Sequence, residues 1–171
     1  MEATIKIINE MRKKKVIGTY AIGGAVAMIF YVEPVLTYDL DVFVFLPQTP
    51  GRLITISPIY EYLKEKGYKP HKEHIVIEGV PVQFIPAYNK LVEEAVNEAR
   101  ETKYNRVKIR VLQPEHLLAI MLETDRPKDR TRITQLFEQA KINVDYLSEI
   151  LERHRLTDKW REFQSRFYEN Q

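Results

Sequence analysis

An apolar run, Val16-Ile17-Gly18-Thr19-Tyr20-Ala21-Ile22, stops on two consecutive glycines, Gly23-Gly24, and after a further 14 residues a second run begins, Asp39-Leu40-Asp41-Val42-Phe43-Val44-Phe45-Leu46. Short apolar runs bounded by glycine or proline read as buried strands, so 16–22 and 39–46 are predicted strands, the second closed by Pro47 and Pro50-Gly51. Ala25 to Tyr31 then predicts a helix that opens on the glycine pair, with Pro34 breaking the chain beyond it. This order constrains the fold more than any other feature. A strand must turn into a helix where no Cβ blocks the backbone, and the helix start offers unpaired N–H groups to an anion. On the second strand, period two puts the Asp39 and Asp41 carboxylates on one face, while Leu40 and Val42 point into the core.

The rest of the chain switches repeatedly between helical and strand periods, with no internal repeat. Ile5, Ile8 and Met11 predict a helix over 3–14, and Ile59 and Leu63 one over about 53–66, stopped by Gly67. Ile75-Val76-Ile77 and Val80 to Ile85 form a hairpin around Glu78-Gly79. A helix follows near 88–100. Val107, Ile109 and Val111 alternate with Arg106, Lys108 and Arg110, which predicts a half-exposed strand over 106–112. Pro114 and Pro127 suit first helical turns, Asn143 and Thr157 suit caps, and helices are expected over 114–123, 127–140, 144–153 and 158–168. The fold class is α+β, close to α/β: a small mixed sheet flanked by helices. We divide the chain into a mixed-sheet core, 1–112, and a helical part, 113–171, packed on it.

The chain has 171 residues and no cysteine, which excludes disulfides, thiolate zinc sites and cysteine nucleophiles and fits a cytoplasmic protein. No apolar stretch approaches the roughly 20 residues of a membrane span, and the first residues carry no signal-peptide pattern. With 26 basic against 24 acidic side chains the formal charge is +2, so contact with a polyanion has to be local. The paired carboxylates repel one another unless a cation lies between them. Mg²⁺ is the natural ion, since it takes oxygen ligands and accompanies nucleotide phosphates; Mn²⁺ is the alternative.

These residues resemble the nucleotidyltransferase fold of the DNA polymerase β superfamily. The likeness is carried by Ile22-Gly23-Gly24 and Asp39-Leu40-Asp41-Val42. Thr37 two residues before Asp39 is similar to minimal, abortive-infection-toxin-like members. Val111 to Ala119 and Pro127-Lys128-Asp129 extend the likeness to the second half. The resemblance implies Mg²⁺-dependent transfer of a nucleotidyl group from an NTP to a hydroxyl on RNA, a protein or a small molecule. It implies Asp39 and Asp41 as catalytic metal ligands. Gly23, Gly24, Ala25, Thr37, Lys128 and Arg130 are the implied nucleotide contacts. A third carboxylate is usual in Gly-x-Pro-Val-Asp-Phe; here Gly79-Val80-Pro81-Val82-Gln83-Phe84 places Gln83 there. Met121 and Arg132 are further departures.

Three readings follow: a transferase, a catalytically degenerate nucleotide- or RNA-binding module on the same fold, and one half of a toxin–antitoxin-like pair. Arg132 joins Lys128 and Arg130 as a candidate for facing a triphosphate, and Arg106, Lys108 and Arg110 for facing a phosphate backbone. His71 and His74, around Lys72, read as surface imidazoles. Tyr31, Tyr38, Tyr60 and Tyr62 are candidates for stacking on a base. Trp160, Phe163 and Phe167 read as helix packing or a homodimer contact.

Overall fold

The computed structural model describes residues 1–33, 37, 39–48 and 53–167. Its elements are, in order, α1 (Glu2–Lys13), β1 (Tyr20–Ile22), α2 (Gly24–Met28), β2 (Leu40–Val44), α3 (Ser57–Glu65), β3 (Pro70–His71), β4 (His74–Ile77), β5 (Val80–Pro86), α4 (Lys90–Asn97), β6 (Arg100–Tyr104), β7 (Val107–Val111), α5 (Pro114–Thr124), α6 (Pro127–Gln139), α7 (Val144–Arg153) and α8 (Thr157–Phe167). Among the described residues the strands form one mixed sheet of seven, ordered β3-β4-β5-β2-β1-β7-β6. The class is α+β, as expected.

The central strand β2 is antiparallel to β1 and parallel to β5, and β1 is parallel to β7. The expected strand over 16–22 is shortened to three residues. Lys15 adopts a left-handed backbone (φ 59°), and Gly18 packs so closely on β2 that a Cβ there lies 2.9 Å from the Phe45 carbonyl oxygen. The Glu78-Gly79 hairpin turn has φ of 51° and 78°, the two positive values a two-residue type I′ turn needs. Two strands were absent from the sequence reading. β3 is only two residues long, and β6 is an edge strand whose Arg100, Glu101 and Lys103 carry no apolar alternation. The helix expected over 88–100 therefore ends at Asn97.

Tyr20 projects to one face of the sheet, where its hydroxyl donates to Asn9 Oδ1 of α1 at 2.7 Å. On the other face lies α5, buried from Pro114 to Leu122; a helix apolar on nearly all sides belongs between layers. The core is continuous from sheet to C-terminal helices, joining Val42, Val111 and Leu118 to Ile133, Leu147 and Phe163. Buried polar groups on α5 tie this layer together. Glu115 Oε1 accepts from the Asn143 N–H at 2.7 Å. His116 Nε2 lies 3.2 Å from Glu94 Oε1, and Glu94 also meets Arg153 and His154. Trp160 packs edge-on against Phe137 of α6 and Phe163 is buried, whereas Phe167 is 37% exposed. No helix among the described residues is long and apolar enough to cross a membrane.

Candidate active site

Leu40 and Val42 of β2 are fully buried, so the alternate residues Asp41 and Phe43 face the side covered by α5. In the parallel register Asp41 lies beside Gln83 and Phe43 beside Ile85. These four floor a cavity of about 220 Å³, roofed by Leu117, Ile120 and Met121 of α5. Arg126, Asp129 and Arg132 form its far wall, and Tyr88, 54% exposed, stands at its mouth.

The two glycines admit protein groups. Gly24 has φ of +57°, and a Cβ there falls 2.0 Å from Asp41 Oδ2; a Cβ on Gly23 falls 2.3 Å from the Phe43 ring. The turn and the acidic strand are therefore one unit: Asp41 packs directly on the Gly24 backbone, and the Gly23 N–H donates to the Asp41 carbonyl at 3.0 Å. Sequence reading assigned this open space to a phosphate. The structure fills it with the carboxylate and the ring.

No hydrogen-bond donor among the described residues meets the Asp41 carboxylate. Burial raises its pKa above the usual carboxylate value; Arg126, Lys128 and Arg132 pull it back and Asp39 pushes it further up. Desolvation of an ion without a partner has this sign. The opposite wall is built differently. Asp129 is fully buried at the third residue of α6, where the helix N-terminus favours an acid. Its Oδ2 accepts from Arg126 Nε at 2.6 Å and lies 3.1 Å from the Thr124 hydroxyl, and its Oδ1 lies 3.5 Å from Arg132 Nη1. The buried acid thus holds two guanidiniums against the cavity.

Gly24, Asp41 and Gln83 thus come together, with Gly23 behind them. Asp39, just before β2, sits outside the cavity lining with its side chain 52% exposed and Oδ2 3.9 Å from His74 Nε2. Thr37 donates to the Asp39 carbonyl at 3.4 Å, and Ala25 is buried in the first turn of α2. Lys128 is exposed but within electrostatic reach of Asp41. Arg130 points away and pairs with Asp125 at 3.2 Å, because residues two apart on a helix lie on different faces. Of the tyrosines, Tyr31 donates its hydroxyl to the Leu112 carbonyl and burial pushes its pKa up to about 12; Tyr62 bonds Glu10 of α1; Tyr38 lies outside the described residues. Arg110 donates to the Val96 and Asn97 carbonyls that end α4. Sequence reading gave no site role to Phe43, Tyr88 and Arg126, and named Asp129 only within Pro127-Lys128-Asp129. Phe43 was legible, being two residues beyond Asp41. Arg126 immediately precedes a proline at a helix start, which puts it at the positive end of that helix.

Among the described residues no three or more His, Asp or Glu side chains gather as a metal cage. The oxygen donors that line the cavity floor are the Asp41 carboxylate and the Gln83 amide, and the Asp39 carboxylate lies outside that lining. This all-oxygen, incomplete set fits Mg²⁺, which keeps waters and takes one or two carboxylates together with ligand phosphates.

No family model matches the chain, and no curated protein matches it. Among solved structures it is similar to an antigenic nucleotidyltransferase-like protein from Paracoccidioides brasiliensis. The identity is 16% and the TM-score 0.55, over 96% of this chain and 90% of that one. At that identity the likeness concerns the fold: the chain has a nucleotidyltransferase-like fold.

Proposed function

We propose that the cleft binds a nucleoside triphosphate and transfers its nucleotidyl group to a hydroxyl acceptor, with Mg²⁺ or Mn²⁺ held by Asp41 and Asp39. The observation that carries this reading is the opposition across the cavity. Asp41, whose carboxylate meets no donor among the described residues, faces Arg126 and Arg132. A free anion is repelled by the first wall and a free cation by the second. A polyphosphate with its divalent ion satisfies both. When bound, the ion neutralises phosphate charge and stabilises the charge that develops in the transfer. Arg126 and Arg132 grip the phosphate oxygens from the other side, Phe43 and Leu117 keep water out, and the nucleoside leaves the small cavity past Tyr88. The neutral Gln83 beside Asp41 favours one second reading, a module that binds nucleotide without transferring it.

Thermal melting tests the binding common to both. An NTP with Mg²⁺ is expected to raise the melting temperature, and a chelator to cancel most of the rise. Arg126→Ala is expected to weaken binding about tenfold, the loss of one charge-assisted hydrogen bond. No stabilisation by any NTP contradicts both readings. Stabilisation without transfer of α-labelled nucleotide leaves the binding module.

A further inference from the structure

We infer that the chain has a second binding site, a basic groove between α1 and β7 that takes the phosphodiester backbone of a nucleic acid. The groove is separate from the cleft, and the inference holds whether or not the cleft transfers a nucleotide.

The groove exists because one strand ladder stops short. β1 and β7 are in parallel register at one pair, Ile22 and Val111, where the Leu112 N–H donates to the Ile22 carbonyl at 2.9 Å. Toward the start of both strands α1 takes over. The Lys108 carbonyl accepts from the Asn9 side-chain amide at 2.8 Å, and Asn9 Oδ1 accepts from the Tyr20 hydroxyl. This bridge floors a groove of about 480 Å³, whose walls carry Arg12 and Lys13 from α1 and Lys108 and Arg110 from β7. The polar groups of the floor already have partners. Most of the charges on the walls do not.

Arg110 is used inside the protein: it donates to the Val96 and Asn97 carbonyls and lies 3.6 Å from Glu101. Arg12, Lys13 and Lys108 are exposed, and no ion pair among the described residues includes them. A fourth cation adjoins them. Lys103 of β6 stands directly opposite Lys108 in the antiparallel register. Side chains so paired leave the same face with Cβ atoms about 4.5–5.5 Å apart, and like charges there destabilise a sheet. The next pair on that face avoids the problem, with Glu101 opposite Arg110. A lysine on an edge strand deters pairing with another chain. That accounts for Lys103 on β6 but not for Lys108 on the strand inside it. An anion lying over the hairpin turns the mutual repulsion of the two lysines into attraction for a shared ligand.

Four cations along one groove suit a ligand with several negative charges in a row. A single phosphate meets one or two of them, whereas a nucleic acid carries a charge at every residue. The apolar members of the lining, Tyr20 and Ile109, are buried, so the groove offers no apolar surface to enter a bilayer. For the same reason no ring of the lining is open to stack on a base. Contacts to the backbone therefore dominate, and binding is indifferent to base sequence and falls with salt.

The test is fluorescence anisotropy of a labelled single strand of mixed sequence, made as RNA and as DNA. EDTA and the absence of NTP keep the cleft's proposed ion out of the measurement. Three to four phosphate contacts predict that log K falls against log salt with a slope of about −2 to −3. Arg12→Gln/Lys13→Gln and Lys103→Gln/Lys108→Gln are each expected to flatten that slope by about 1.4 and to weaken binding about 10–30-fold at about 0.1 M salt. The lysine variant is expected to melt no lower than wild type, because it relieves a repulsion, and both variants should keep their stabilisation by NTP with Mg²⁺. Lys141→Gln/Arg155→Gln removes the same charge from exposed positions outside the groove and is expected to change affinity by less than about twofold, since distant charges are screened. Binding of RNA, of DNA or of both supports the inference and shows which source of phosphodiester the groove prefers. Binding of neither overturns it. So does wild-type affinity in both groove variants, or an equal loss in the Lys141→Gln/Arg155→Gln control. A comparable loss in Arg126→Ala, which places the strand in the cleft, also overturns it, as does a lysine variant that melts below wild type, whose pair then serves the fold. The nucleotide reading of the cleft is measured separately, by melting with NTP and Mg²⁺, and survives any of these results.

Discussion

Gly24→Ala is expected to lower the melting temperature by about 5–15 °C and to abolish stabilisation by nucleotide. Two penalties add. The residue holds φ of +57°, a left-handed conformation that costs an L side chain about 1–2 kcal/mol. The new Cβ falls 2.0 Å from Asp41 Oδ2 and 2.9 Å from its Cγ, so the carboxylate has to move or the turn has to open, at about 1–3 kcal/mol for overpacking. The total of about 2–5 kcal/mol translates into a shift of that order for a chain of this size. Binding falls with stability because the group displaced is the one that faces the cavity. Circular dichroism melts with and without NTP and Mg²⁺ measure both. A Gly24→Ala protein with wild-type melting and wild-type nucleotide response contradicts the close packing of turn and carboxylate.

Asp129→Ala is the second large effect. Asp129 is fully buried and braces Arg126 and Arg132. Removing one member of a buried charged group leaves its partners uncompensated, at about 3–5 kcal/mol where all are buried. Arg126 is half-exposed while Arg132 is largely covered, so solvent recovers part of the loss and about 2–4 kcal/mol is expected. Asp129→Asn keeps the shape and an acceptor oxygen, and should cost less. Both are expected to weaken NTP binding, since the guanidiniums lose what aims them at the cavity. If Asp129→Ala melts like wild type, the far wall is not organised by this residue.

The central strands were legible because turn and strand chemistry are local. Gly23-Gly24 ends an apolar run, and Asp39-Leu40-Asp41-Val42 alternates with period two. The half-buried position of Gln83 beside Asp41 follows from strand pairing, but its place in the motif was already visible in Gly79 to Phe84. What escaped was set by distant contacts. β6 pairs through its backbone and shows no apolar period. Asp129 and Arg126 looked like an ordinary helix start, because nothing local says that α6 begins at the edge of a cavity. The two glycines were read as room for a ligand, whereas the tertiary structure uses that room for Asp41 and Phe43.

Asp41→Asn tests the central claim most directly, through transfer of label from α-³²P NTP in the presence of Mg²⁺ and the melting temperature of the same samples. The folded pKa of Asp41 is raised by burial, so the fold disfavours the ionised form, and stability rises as pH falls through that folded pKa. Removing the charge at neutral pH is therefore expected to raise the melting temperature. The same change removes the negative charge proposed to hold the ion, and transfer is expected to fall at least about 100-fold, the scale of losing one electrostatic contact at a reacting phosphate. A more stable protein without transfer is the predicted result. Asp41→Asn protein that moves label at the wild-type rate would contradict the account.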